Sequence, residues 1–180
     1  LLISVLLSAQ CTDVNVNNVT KNIYPKYHQP KHFIKLGRKK IEKLIKKIGI
    51  FRIKAKSIYN LSKMLVSEHG GKVPKTFDEL EKLPGVGHKT ASVVMSQGFG
   101  YPAFAIDTHI HRLAQRWGLT NGKNVTQTEK DLKKLFPKKN WNKLHLQIIY
   151  YGREFCKARD CYGLTCKICT TCYPKRKKPI

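Results

Sequence analysis

The stretch Leu80-Glu81-Lys82-Leu83-Pro84-Gly85-Val86-Gly87-His88-Lys89-Thr90-Ala91 constrains this 180-residue chain more than any other. Just upstream, Thr76-Phe77-Asp78-Glu79 has the form of a capping box and opens a helix that ends near Leu83. Pro84 and two glycines then make a tight turn, and a second helix starts around His88. Gly85 and Gly87 lack a Cβ, so they can take left-handed angles and let an anion approach their N–H groups. The partial positive charge at the start of the next helix adds to that attraction. Leu80, Leu83 and Val86 are placed to anchor the turn against Ala91, Val93 and Val94.

Helical punctuation continues along the rest of the chain. Leu1 to Leu7 reads as a buried helix: it has no basic leader and is too short to span a bilayer. Asp13 is placed to cap a helix running through Val14, Val16, Val19 and Ile23 to the Tyr24-Pro25 break. Arg38 to Ile48 carries Ile41, Leu44, Ile45 and Ile48 on one stripe, with Gly49 as a stop, and Ile53 to Val66 repeats the pattern before Gly70-Gly71. Thr126-Gln127-Thr128-Glu129 is a second capping box, and Asn140 to Tyr151 gives a last long helix. Alternating β patterns are almost absent, so the reading is all-α with about nine or ten short helices.

Thirty-five basic against 11 acidic residues leave a formal charge of +24, which selects for a polyanionic partner. Nucleic acid is the first candidate. A membrane surface is disfavoured because no basic helix carries a strongly apolar face. The competing reading is a lysine background spread over solvated faces, and the lysines are indeed scattered. No targeting signal is visible, so an intracellular location, cytoplasm or nucleoid, is the expectation; the opening Leu suggests that an N-terminal segment is missing.

The phrase Leu83-Pro84-Gly85-Val86-Gly87-His88-Lys89-Thr90-Ala91 between two helices is the helix-hairpin-helix signature, which grips DNA backbone without reading its sequence. Lys89 stands just inside the second helix, where the dipole and neighbouring cations favour the uncharged amine that a nucleophile needs. Its plainer reading is one more phosphate contact. Asp107, in Ala105-Ile106-Asp107-Thr108-His109-Ile110-His111-Arg112, is placed to cap a helix. As an ionised carboxylate it can also stabilise positive charge on a sugar or relay protons.

Five of the six cysteines fall between Cys156 and Cys172, and such crowding in an intracellular chain argues for metal rather than disulfides. Cys166-x2-Cys169-x2-Cys172 has the close spacing that holds iron–sulfur clusters, with an upstream cysteine for the fourth corner. Zinc competes, since four thiolates also make a tetrahedral site. Cys11 reads as a small buried residue.

Taken together, these phrases resemble the endonuclease III family of helix-hairpin-helix DNA glycosylases. The resemblance is carried by Leu6-Leu7-Ser8-Ala9-Gln10 with Thr12-Asp13, Ile48-Gly49, Leu83 to Ala91, Asp107-Thr108-His109-Ile110 with Arg112, and Gly152-Arg153 before Cys156. It implies a two-lobed fold: residues 1–101 form a six-helix lobe with the hairpin at about 79–98, residues 102–180 form an iron–sulfur lobe, and DNA lies in the cleft between. It implies a DNA N-glycosylase for oxidised pyrimidines that is also an AP lyase, nicking abasic sites by β-elimination through a Schiff base on Lys89, with Asp107 as the essential carboxylate. It places Gln10 and Ile50 at loop positions that fill the hole left by a flipped nucleotide, Ile50 departing from the family's usual Leu. Gly85, Gly87 and Arg112 join them as DNA contacts.

The family's cysteine spacing is Cys-x6-Cys-x2-Cys-x5-Cys, from which this chain departs. Keeping the central Cys-x2-Cys in register assigns a [4Fe-4S] cluster to Cys156, Cys166, Cys169 and Cys172, with Cys161 as an alternative ligand. Double-stranded DNA with damaged bases or abasic sites is the implied partner, and a monomer is the expected state. A monofunctional DNA glycosylase, a non-catalytic helix-hairpin-helix module and a basic RNA-binding protein with a zinc knuckle stand as alternatives.

Overall fold

The computed structural model describes all residues 1–180 and contains ten α-helices and no strand. It divides into two compact units, 1–99 and 100–180.

The first unit holds α1 (Leu2–Ser8), α2 (Asp13–Ile23), α3 (Pro30–Leu44), α4 (Phe51–Glu68), α5 (Phe77–Lys82) and α6 (His88–Val93), the last running on as a π-helical turn over Val94–Gly98. Helix α1 packs on α2, α4 and α6, and α3 lies along α4. The core of this unit is made by Leu6, Leu7, Ile41, Ile45, Ile48, Ala55, Ile58, Leu61, Leu80 and Leu83, each all but excluded from solvent.

Several local readings shift by a residue or two. Thr12, not Asp13, caps α2, its hydroxyl accepting from the Asn15 N–H at 3.4 Å. Helix α3 starts at Pro30 and bends at Gly37, whose φ of 71° only glycine adopts cheaply, so the stripe from Arg38 is the second half of a longer element. Val14 and Ile53, placed on apolar stripes by the sequence, are 71% and 66% exposed. The buried face of α4 is instead Lys54, Ala55, Ile58, Leu61, Ser62 and Leu65, one residue round from the expected stripe. Helix α4 ends as expected at the glycine pair, with the Gly71 N–H reaching back to the Leu65 carbonyl at 2.7 Å.

The second unit holds α7 (Thr108–Arg116), α8 (Val125–Leu135), a 3-10 turn (Lys138–Asn140), α9 (Trp141–Glu154) and α10 (Lys167–Cys172). Asn124 caps α8 by accepting from the Gln127 N–H at 2.9 Å, two residues before the expected Thr126 box. Helix α7 packs against α8 and α9 around Phe104, Ile110, Leu113, Leu132 and Ile148, and four cysteines complete that core. No helix is long and apolar enough to cross a membrane.

Candidate functional site

The hairpin forms in the first unit as its sequence predicts. The Thr76 hydroxyl accepts from the Glu79 N–H and starts α5, and the Val86 N–H closes the turn on the Leu83 carbonyl at 3.0 Å. Leu80, Leu83, Val86, Ala91 and Val94 are buried beneath the turn, which fixes it rigidly to the core. Only Gly85 uses the left-handed region, at φ +82°. A Cβ there would stand 2.7 Å from Cβ and Oγ of Ser57 and 3.1 Å from Leu6 Cδ1, so glycine is demanded by angle and by space.

Gly87 differs from the sequence reading. Its φ is −96° with ψ 176°, ordinary extended backbone, and nothing lies within 4 Å of its Cβ position. It is the N-cap of α6, and no side chain caps that helix. The start of α6 therefore presents backbone dipoles to an open surface, a setting that suits a phosphate. Lys89 is the second residue of α6 and is exposed. Beside it, His88 Nδ1 pairs with Glu81 Oε1 at 2.7 Å and its ring stacks on Phe77.

Gln10 and Ile50 lie in two loops of the same unit, and both are exposed. Both take left-handed angles, φ 53° and 50°, which are costly for any residue with a Cβ and most of all for a β-branched one. The loops touch: the Gln10 carbonyl oxygen lies 3.4 Å from the Cβ position of Gly49. Asn15 Nδ2 ties them again, donating to the Lys47 carbonyl at 2.8 Å and to Cys11 Sγ at 3.3 Å. Cys11 is half-buried and outside the cysteine cluster.

In the second unit Asp107 caps α7, its Oδ1 accepting from the Ile110 N–H at 2.9 Å. The hydrogen bond fixes the carboxylate at a helix N-terminus, where the dipole favours its charge. Arg112, read from the sequence as a DNA contact, turns inward: its Nη2 donates to the Cys156 carbonyl at 3.1 Å. Burial, and then the nearby Arg116, hold its guanidinium below the usual range.

Cys156, Cys161, Cys166 and Cys169 converge, with all four sulfur atoms within 4.8 Å of one another and all four residues buried. Of the two candidates read from the sequence for the remaining place, the alternative, Cys161, joins the group, and Cys172 is exposed. Cys169 is buried in the middle of α10, whereas Cys172 is the last residue of that helix and is exposed. Burial pushes the Cys156 thiol up to about 11 and raises Cys169 as well. Burial opposes ionisation of Cys161 too, but hydrogen bonds from the Cys166 and Thr165 backbone outweigh it and bring its thiol down to about 5. Four sulfur donors with no carboxylate or imidazole among them suit an iron–sulfur cluster or a zinc ion.

Arg116 escaped the sequence reading. It is among the largest fully buried side chains, and it donates to the carbonyls of Lys157 at 2.9 Å, Ala158 at 3.0 Å and Ile180 at 3.0 Å, and to Cys156 Sγ at 3.4 Å. A basic residue three positions after the buried Leu113 was the available signal. Tyr151 helps from α9, its hydroxyl accepting from the Ile168 N–H at 3.1 Å.

The chain is similar to known proteins in sequence and in fold. Residues 3–138 match the HhH-GPD superfamily of base excision DNA repair proteins. Endonuclease III of Bacillus subtilis (strain 168) is 44% identical over 179 residues, covering 99% of this chain and 82% of that protein. Endonuclease III of Escherichia coli (strain K12) is 42% identical over 180 residues, covering 100% and 85%. Among solved structures, a trapped endonuclease III–DNA covalent intermediate superposes with a TM-score of 0.89 at 45% identity, covering 93% of this chain and 79% of that one. Identity at this level along nearly the whole length, on a matching helical framework, makes the chain a member of the endonuclease III family within the HhH-GPD superfamily.

Proposed function

We propose that the chain excises oxidised pyrimidines from double-stranded DNA and nicks abasic sites through Lys89, working as a monomer in the cytoplasm or nucleoid. Its family makes it a base excision repair enzyme, a DNA glycosylase and AP lyase. The observation that carries the residue assignment is an exposed lysine one step inside a helix that is entered through a glycine turn and has no side-chain cap.

In this reading the N–H groups around Gly85 and Gly87 hold a backbone phosphate, and Gln10 and Ile50 occupy the gap left by the flipped nucleotide. The Lys89 amine attacks C1′ with its lone pair. The glycosidic C–N bond breaks, and the base departs with the bonding pair and takes up a proton. Loss of the amine proton and opening of the sugar give a Schiff base between Nζ and C1′. Removal of a C2′ proton then expels the 3′ phosphate, and water hydrolyses the Schiff base to free the lysine. Asp107, positioned by its cap, stabilises positive charge on the sugar or carries these protons. Arg112 also braces the Cys156 loop through its Nη2. That the similar solved structure is a trapped covalent intermediate with DNA supports a nucleophilic side chain here.

The four cysteines hold a [4Fe–4S] cluster, whose role is structural: it ties down a loop bearing Lys157, Arg159 and Lys167. A second reading, one zinc ion, is favoured by the compactness of the group, with Cys156 and Cys161 sulfurs 3.8 and 3.9 Å from that of Cys169. Iron, sulfide and zinc analysis of purified protein separates the two; a brown protein with visible absorption carries the cluster.

Borohydride reduction in the presence of abasic duplex tests the enzymatic reading. The wild-type chain should form a covalent adduct, Lys89→Ala should lose it while still binding DNA, and Asp107→Asn should turn over far more slowly than it binds. Binding without any adduct would leave a passive hairpin module, and base release without nicking a monofunctional glycosylase.

A further inference from the structure

Lys54 is a buried lysine on the inner face of α4, 3% exposed, with two backbone carbonyls in reach. Its Nζ donates to the Leu7 carbonyl at 2.9 Å and to the Ala9 carbonyl at 2.6 Å. Both lie at the C-terminal end of α1, where carbonyls lack helical partners and the dipole attracts a cation. Ala9 immediately precedes Gln10. The Lys54 backbone N–H meanwhile donates to the Ile50 carbonyl at 3.2 Å, within the first turn of α4. One residue therefore grips, through its two ends, the segments that carry Gln10 and Ile50.

We propose that Lys54 is a positioning residue for lesion capture: its ammonium ties the Gln10 loop to the start of α4 and so holds Gln10 and Ile50 together in the conformation that enters the duplex. This rests on the insertion role assigned to those two side chains above. The left-handed angles of both residues give the tie its purpose. An exposed, strained loop residue relaxes into extended or right-handed backbone unless its neighbours hold it. The Leu7 and Ala9 carbonyls, clamped from α4, leave the chain little freedom to relax at Gln10. Burial lowers the lysine's proton affinity, the cost of placing an amine where it reaches both carbonyls.

The experiment compares affinity for a duplex carrying a tetrahydrofuran abasic analogue with affinity for the same duplex undamaged, by fluorescence anisotropy. Lys54→Met keeps the apolar stem and removes the donors. It should reduce preference for the analogue about tenfold and leave binding to undamaged duplex within about twofold, because phosphate contacts do not depend on the inserted side chains. Lys54→Arg, which restores donors toward the same carbonyls, should recover most of that preference. The double variant with Gln10→Ala should fall no further than the worse single variant, as expected of residues acting through one another. Equal losses on both duplexes, additive losses in the double variant, or an arginine variant as poor as methionine would overturn the proposal. Should Lys54→Met not fold, Lys54→Gln, which drops the charge and shortens the reach, is read in the same way. Full preference in Gln10→Ala alone would sink the insertion reading and this proposal with it, whereas loss of borohydride trapping touches only the assignment of Lys89.

Discussion

Replacing Gly85 with alanine puts a methyl group where the structure has no room and forces a left-handed angle on a residue with a Cβ. The angle, φ +82°, costs about 1–2 kcal/mol for an L-residue. The new Cβ also meets Ser57 Cβ and Oγ at 2.7 Å and Leu6 Cδ1 at 3.1 Å, and Ser57 belongs to the long helix α4, which shifts only with its core. Overpacking of this kind adds about 1–3 kcal/mol. The sum, about 3 kcal/mol, lowers the melting temperature by about 6–12 °C for a chain of this size. Gly87→Ala is the matched control. Its extended backbone and open surroundings limit the loss to under about 1 kcal/mol, the scale of an N-cap preference. Both tryptophans, Trp117 and Trp141, lie in the second unit, so their fluorescence is a poor reporter for this change. Thermal melting by far-UV circular dichroism, with hydrogen exchange at the Val86 amide, reads the first unit directly. Equal destabilisation by the two substitutions, or a loss below about 1 kcal/mol for Gly85→Ala, would refute the steric and conformational account of the turn.

Other outcomes follow from the second unit and from charge. Cys161→Ser should strip the metal from the purified protein while Cys172→Ser retains a full complement, as read by metal content per chain; the reverse pattern would restore Cys172 to the ligand set. Arg116→Met should leave the carbonyls of Lys157 and Ala158 without their buried donor, costing about 1–3 kcal/mol for each and loosening the metal, measured as its release to a chelator. Unchanged retention would mean that water replaces the guanidinium there. With a formal charge of +24, the logarithm of DNA affinity should fall against the logarithm of salt with a slope of about −4 to −6, the signature of roughly five phosphate contacts. A flat line would return the lysine excess to the status of background.

Much of the site was readable because it is local. The turn at Pro84–Gly87, the Thr76 cap and the Asp107 cap are each decided by residues within four positions of one another, the range over which a helix start or a tight turn specifies itself. Where two caps competed locally, the reading slipped, as with Thr12 in place of Asp13 and Asn124 in place of Thr126. Periodicity placed α4 but not its buried face. Counting apolar side chains favoured Ile53, whereas the packing surface offered two carbonyls at the end of α1 and took Lys54.

By itself, then, the chain's order of residues determined an all-helical protein, a glycine-turn hairpin with a lysine just inside its second helix, and a cluster of cysteines suited to a metal. Only the tertiary structure decided which four of five thiols meet, that Arg116 and Arg112 brace them from within, and that Gln10 and Ile50 stand in left-handed backbone. Those outcomes depend on contacts between residues about 40 positions apart in sequence, as between Arg116 and Cys156 or Lys54 and Leu7. No local pattern encodes such distances, because they arise when separate helices bury their faces together.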